Sequence, residues 1–155
     1  LAHLLRARVP ISGKKIILIV DDYEDDAVFL QLVLKKAGVV WPVVVIQDGS
    51  EALRYFKGQG PFADREKHPL PSILFLDLKM PSCEGFQIQE WLQQQPHLRS
   101  TLLVIIVTGD WEMRGVERAY ALGAHSFLVK PCNPRDIFNL TKAFPDHWMS
   151  FPPPT

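Results

Sequence analysis

Five short apolar runs punctuate the chain: KIILIV at 15–20, VVVIQ at 43–47, SILFLD at 72–77, LLVIIV at 102–107 and HSFLV at 125–129. None alternates apolar with polar residues. Each is apolar almost throughout, which is how strands buried on both faces look in a parallel sheet covered by helices. The segments between them have helical spacing. In 24–37, Ala27, Leu30, Val33 or Leu34 and Ala37 recur at steps of three and four, and Gly38 follows as a stop. In 48–57, Asp48 or Ser50 can cap a short helix that puts Ala52, Leu53 and Phe56 on one side. Segments 84–95 (Phe86, Ile88, Trp91, Leu92), 111–122 (Val116, Ala119, Tyr120, Leu122) and 134–143 (Ile137, Phe138, Leu140, opened by Pro134) continue the series. The stretch GQGPFADREKHPLP at 58–71 is rich in Gly, Pro and charge and reads as a long surface loop.

Strand and helix thus alternate five times. Such alternation predicts an α/β domain with a parallel sheet, right-handed crossovers and helices on both faces. It occupies 14–144. Residues 1–13 read as a tail or appended sequence. Residues 145–155 form a C-terminal tail whose FPPPT end is extended, with Trp148 packing on the sheet edge or entering a dimer contact.

Composition narrows the function classes. Seventeen basic and 17 acidic residues cancel, which removes any global electrostatic case for nucleic-acid binding. The only cysteines, Cys83 and Cys132, have no CxxC spacing, too few for a disulfide framework or a zinc cage, and suit a reducing cytosol. No apolar run approaches the roughly 18 residues of a membrane helix, and the opening LAHLLRARVPISG lacks the apolar centre of a signal peptide. A soluble cytoplasmic protein that contacts neither membrane nor nucleic acid is the expectation.

In an open α/β sheet, ligands bind beyond the carboxyl ends of the strands. There the sequence places Asp21 and Asp22 after the first run, Asp77 at the end of the third, Thr108 after the fourth and Lys130 after the fifth. Carboxylates brought close repel one another unless a cation sits among them. An all-oxygen set without His or Cys selects a hard divalent ion such as Mg²⁺. One carboxylate can then act as nucleophile toward phosphorus, while Lys130, the Thr108 hydroxyl and backbone N–H groups neutralise the equatorial oxygens. Singly, each residue has a plain alternative: an Asp after a strand as cap or turn former, Thr before Gly as turn chemistry, Lys before Pro as a solvated charge. Their coincidence at consecutive strand ends favours the joint reading.

The stretches IVDDYEDD (19–26), LFLDLKMPSCEGF (74–86), VIIVTG (104–109) and ALGAHSFLVKP (121–131) resemble the receiver domain of two-component response regulators, over roughly residues 14–144. That resemblance implies a flavodoxin-like (βα)5 fold of strand order 2-1-3-4-5. It implies Asp77 as the phospho-acceptor, with Pro81, Gly85 and Phe86 completing its motif. Asp21 and Asp22 are the acidic pair that holds Mg²⁺ together with Asp77 and the carbonyl of Lys79. Thr108 and Lys130 contact the phosphoryl group, and the Lys130–Pro131 bond is cis. Phe127 occupies the aromatic position that switches with Thr108; the plain alternative is a core side chain. Lys79 and Asp110 sit where hydrolysis of the acyl phosphate is tuned, or are merely two solvated charges.

The implied function is a signalling switch, phosphorylated by a sensor histidine kinase and acting through altered protein contacts. It is not an enzyme beyond its own phosphorylation. The 58–71 loop, PHLRSTLLVIIVTG and the late His147–Trp148 are similar to standalone receivers serving phytochrome-type kinases, with a homodimer left open. Three other readings stand beside it. One is a Mg²⁺-dependent phosphatase or phosphotransferase of the aspartyl-phosphate type. It would need a second carboxylate two residues past Asp77, where Lys79 stands. The others are a receiver of a longer regulator with an output domain, and a receiver-like binding module that is never phosphorylated. A dinucleotide fold is disfavoured, because no GxGxxG follows the first run and Asp21 and Asp22 would repel phosphates.

Overall fold

The computed structural model describes residues 15–81, 85–109 and 113–148. Its elements are β1 (Ile17–Val20), α1 (Glu24–Lys36), β2 (Val43–Ile46), α2 (Gly49–Lys57), a 3-10 turn (Gly60–Phe62), β3 (Ile73–Leu76), α3 (Gly85–Gln93), α4 (Pro96–Thr101), β4 (Leu103–Thr108), α5 (Met113–Ala121), β5 (Ser126–Val129), α6 (Pro134–Ala143) and α7 (Pro145–Trp148). All strand pairs are parallel, in the order β2-β1-β3-β4-β5, as expected.

The sheet separates two cores because successive side chains on a strand point to opposite faces. Leu18, Val20, Leu74, Leu76, Val104 and Ile106 face one cluster, with Ala52, Tyr55 and Phe56 of α2 and Ile88 and Leu92 of α3. Ile17, Ile19, Ile73, Phe75, Leu103 and Ile105 face the other, with Ala27, Leu30, Val33 and Leu34 of α1 and Ile137 and Leu140 of α6. Double-sided burial is why the central strands read as unbroken apolar runs.

The register positions the carboxyl edge. Val20 of β1 pairs with both Ile46 of β2 and Leu76 of β3, so Asp21 and Asp77 leave the sheet side by side. Leu76 pairs with Ile106, and β4 continues two residues further to Thr108, which pairs with Val129 immediately before Lys130.

The helix starts follow from caps. Asp48 accepts from the Ser50 N–H at 2.8 Å and opens α2. Asn133 and Asp136 form a reciprocal capping box at α6, whose Pro134 needs no donor. Pro96 likewise opens α4, an element the apolar spacing does not reveal because Leu98 is its one buried residue.

The 58–71 stretch differs from its reading as a plain surface loop. Phe62 is buried, and the Tyr55 hydroxyl donates to the Pro69 carbonyl at 2.7 Å. The Arg65 guanidinium donates to the carbonyls of Tyr55 (2.8 Å), His68 (3.2 Å) and Phe56 (2.7 Å), and so satisfies the last turn of α2. Arg65→Ala should therefore lower stability by about 1–2 kcal/mol, read as a urea midpoint shift at unchanged m-value.

At the C-terminal end, Trp148 is buried and stacks on Trp41 with centroids 6.5 Å apart, and the Lys15 ammonium lies 5.7 Å from the Trp41 ring. Beside it, the Val104 N–H donates to His125 Nδ1 at 3.0 Å, and the His125 ring lies 6.0 Å from that of His147. Burial, then His147, push the His125 imidazole below its ordinary value, and burial also lowers His147. Both rings fit the fold neutral. Their contribution is intact above the unfolded-state value of 6.5 and is lost as pH falls below it, where the unfolded chain binds protons first. The urea midpoint should drop between about pH 7.5 and 5.5, and drop less in His147→Gln.

Candidate functional site

Asp21 follows β1 with its backbone N–H bonded to the Ile46 carbonyl at 3.2 Å, and Asp77 follows β3 with its N–H on the Val20 carbonyl at 2.9 Å. These sheet-type bonds fix both backbones, so the carboxylates are placed by the ladder itself. Asp21 is 5% and Asp77 7% exposed, while Asp22 faces solvent. One carboxylate oxygen from each of the three lies within 4.8 Å of the others. Three oxygen donors at that spacing, without nitrogen or sulfur, fit a hard divalent cation.

Lys130 enters from the far side. Its Nζ lies 2.7 Å from Asp21 Oδ2, 2.9 Å from Asp26 Oδ2 and 3.3 Å from Asp77 Oδ2. Its backbone N–H donates to the Thr108 carbonyl at 3.0 Å, which ties β5 to the end of β4. The Lys130–Pro131 peptide is cis. Burial alone would lower the pKa of the Lys130 ammonium, but the hydrogen bonds to Asp21 and Asp26 and the charges of Asp77 and Asp21 outweigh it and raise it. At Asp21, burial raises the carboxyl above its ordinary value despite the opposing bonds from Lys130 and the Tyr23 N–H. A carboxylate held at that cost is one that a cation would relieve.

The Asp77 carboxylate has two different faces. Oδ1 accepts from the Lys79 N–H at 3.3 Å, and Oδ2 meets Lys130. Thr108 is 2% exposed at the neighbouring strand end. The Lys79 side chain is exposed. Phe127 is half-buried against the core cluster of α2 and α3. Asp110 and Cys83 lie outside the described residues, as do residues 1–13.

Behind Asp77, α3 begins at Gly85, whose N–H donates to the Leu78 carbonyl at 2.9 Å. A Cβ at Gly85 would stand 2.4 Å from the Asp77 carbonyl oxygen and 2.8 Å from Leu78 Cα. No side chain fits there, so the glycine is what lets α3 press against the Asp77 backbone.

Alongside the acids lies a cleft of about 440 Å³ lined by Asp25, Asp26, Phe29, Lys130, Pro131 and Cys132, among others. Burial pushes the Cys132 thiol up to about 11, so it is no nucleophile at neutral pH. Asp21, Asp22, Asp77, Thr108 and Lys130 therefore gather at one edge as the strand-end reading expects. Asp26 is the residue that reading missed. It lies in the first turn of α1, where an acid is already explained by the helix dipole.

The family described as the response regulator receiver domain matches residues 17–142. Response regulator Rcp1 of Synechocystis sp. is 28% identical over 135 residues, which cover 87% of this chain and 89% of Rcp1. The Mn²⁺-bound structure of Rcp1 aligns with a TM-score of 0.69 at 27% identity, over 89% of this chain and 99% of that one. Response regulator RPA3017 in red light signalling of R. palustris aligns at 0.73 and 30% identity, over 91% and 99%. The phosphorylated cyanobacterial phytochrome response regulator RcpA aligns at 0.71 and 25%, over 89% and 96%.

Proposed function

Since the chain belongs to the response regulator receiver family, we propose that it is a phospho-acceptor switch in which Asp77 takes a phosphoryl group from a sensor histidine kinase and the changed surface alters protein contacts. The observation that carries this reading is the convergence of Asp21, Asp22 and Asp77 within 4.8 Å, with the Lys130 ammonium on the carboxylates of Asp21 and Asp77.

Asp77 Oδ1 and Oδ2 are the candidate nucleophiles. As one of them bonds to phosphorus, the P–N bond of the donor phosphohistidine breaks and its electron pair leaves on the imidazole nitrogen. Lys130 stands where it can follow the incoming oxygens, since it already contacts the acceptor. The Thr108 hydroxyl and the Lys79 N–H are the neutral donors of the same edge. Asp21, Asp22, Asp77 and the Lys79 carbonyl would hold Mg²⁺, which when bound neutralises charge on the acceptor and the transferred group. The Mn²⁺ found with Rcp1 supports a divalent ion at this kind of site.

Thr108 and Phe127 would carry the signal. When Thr108 is drawn toward the phosphoryl group, the space beside it opens to the half-buried ring of Phe127, biasing the face of α5, β5 and α6 between two populations. The working unit is 14–144 together with the short α7, whose Trp148 is buried in the core between the sheet, α1 and α6, its setting the cytoplasm. The similarity to RcpA, a phytochrome response regulator, and to RPA3017 in red light signalling supports a phytochrome-type kinase as donor. Among the described residues no helix is long and apolar enough to cross a membrane.

Incubation with acetyl phosphate and Mg²⁺, followed by intact mass, should show one added phosphoryl group, lost on treatment with hydroxylamine and not formed with excess EDTA. No uptake, or multiple-turnover hydrolysis of p-nitrophenyl phosphate, would rule the reading out in favour of a silent module or a phosphatase.

A further inference from the structure

Lys130 carries one ammonium and meets three carboxylates, of which Asp21 and Asp77 are the pair a cation would also claim. The third, Asp26, is absent from that metal-binding group. It sits 104 residues away in sequence, on α1, and its Oδ2 is 2.9 Å from Nζ. We propose that Asp26 is a positioning residue for Lys130, the seat that keeps the ammonium beside Asp77 when a divalent cation occupies the other carboxylates.

An ammonium has three protons, and here each has one carboxylate to face. A cation among Asp21, Asp22 and Asp77 competes with Lys130 for two of those three and repels it as a like charge. Without a further acceptor, the flexible side chain would swing into solvent, and its return would be needed before each transfer. Asp26 removes that need. Its contact with Nζ is shorter than that of Asp77, and its side chain is 37% exposed against 16% for Lys130. It therefore holds the ammonium without being buried with it. Lys130 and Asp26 line the same cleft, so the seat opens toward solvent, the side from which a donor arrives.

The helix-dipole explanation does not account for this geometry. Glu24, Asp25 and Asp26 all lie in the first turn of α1, and any of them would serve the dipole, yet Asp26 is the one whose carboxylate reaches the end of β5. The alternative is a bystander charge, and it predicts the opposite sign. A carboxylate at the cleft mouth repels an anionic phosphodonor, so removing a bystander should speed transfer.

This inference rests on the phospho-acceptor reading, and the test separates the two. Uptake from acetyl phosphate would be followed at saturating Mg²⁺ in the parent, Asp26→Asn, Asp26→Glu, Lys130→Met and Lys130→Met/Asp26→Asn, with the Mg²⁺ dissociation constant of each measured by calorimetry. We expect Asp26→Asn to slow uptake about tenfold and weaken Mg²⁺ about threefold or more, with partial rescue by Asp26→Glu. In the Lys130→Met background, Asp26→Asn should change the rate less than about twofold, because its partner is gone. A parent that takes up nothing sinks the phospho-acceptor reading and this one with it. A competent parent with an equal or faster Asp26→Asn, or an equal slowing in both backgrounds, overturns the positioning role alone.

Discussion

Asp77→Asn should abolish phosphoryl uptake, by about a thousandfold or more, while leaving the fold intact. The substitution is nearly isosteric. Asn can still accept the Lys79 N–H that Asp77 Oδ1 receives at 3.3 Å, so the loop after β3 keeps its local bond. What is lost is chemistry: an amide is too poor a nucleophile to open a P–N or acyl phosphate bond. Electrostatics works in the fold's favour, since Asp77 and Asp21 are buried like charges and the Asp77 charge is among those raising the Asp21 carboxyl. Removing one should hold or raise the thermal midpoint of the metal-free protein, and should weaken Mg²⁺ binding. Intact mass and calorimetry on the same preparation check all three. Residual uptake at a tenth of the parental rate or more would move the acceptor to Asp21 or Asp22.

Gly85→Ala should be the most damaging single methyl group at the site. The added Cβ would stand 2.4 Å from a backbone oxygen and 2.8 Å from a backbone carbon, neither of which can rotate away. Relief requires α3 to retreat or the acceptor's peptide to move. Overpacking of that kind costs about 2–3 kcal/mol, a fall of roughly 4–12 °C in Tm for a domain of this size. The fold should survive, and uptake should slow by more than the stability loss explains, because the strain falls on the carbonyl of Asp77 itself. Thermal melts beside uptake measured well below the new Tm separate the effects. Parental values for both would mean that α3 is not pressed against the acceptor.

The sequence makes the sheet legible because double-sided burial writes itself as KIILIV, SILFLD and LLVIIV, and the carboxyl ends of those runs then name Asp21, Asp77 and Thr108. The role of Gly85 is different. The resemblance supplies the glycine, but only the packing of α3 onto the Asp77 and Leu78 backbone, where a Cβ would collide, supplies its reason. Two features stay hidden for a common cause, which is that their partners are far away in sequence. Arg65 looks like one charge in a polar loop until its guanidinium is seen on the carbonyls of α2. Asp26 looks like dipole chemistry until Lys130 arrives from 104 residues on. Trp148 does pack at the sheet edge, one of its two sequence readings, but its partner there, Trp41 just before the edge strand β2, could not be named from the sequence. α4 is hidden for another reason, since a six-residue helix with one buried side chain has no period to detect.

The Trp41–Trp148 stack also decides from where further polypeptide would depart. Lys15 precedes β1 and Trp41 precedes β2, so the contact joining them to Trp148 marks the amino end of the sheet, opposite the acids. Anything spliced upstream of Lys15 or downstream of Trp148 would sprout from neighbouring spots on that distal pole. A fused reporter or surface anchor attached there would trail behind the body and leave the approach of a donor enzyme unobstructed.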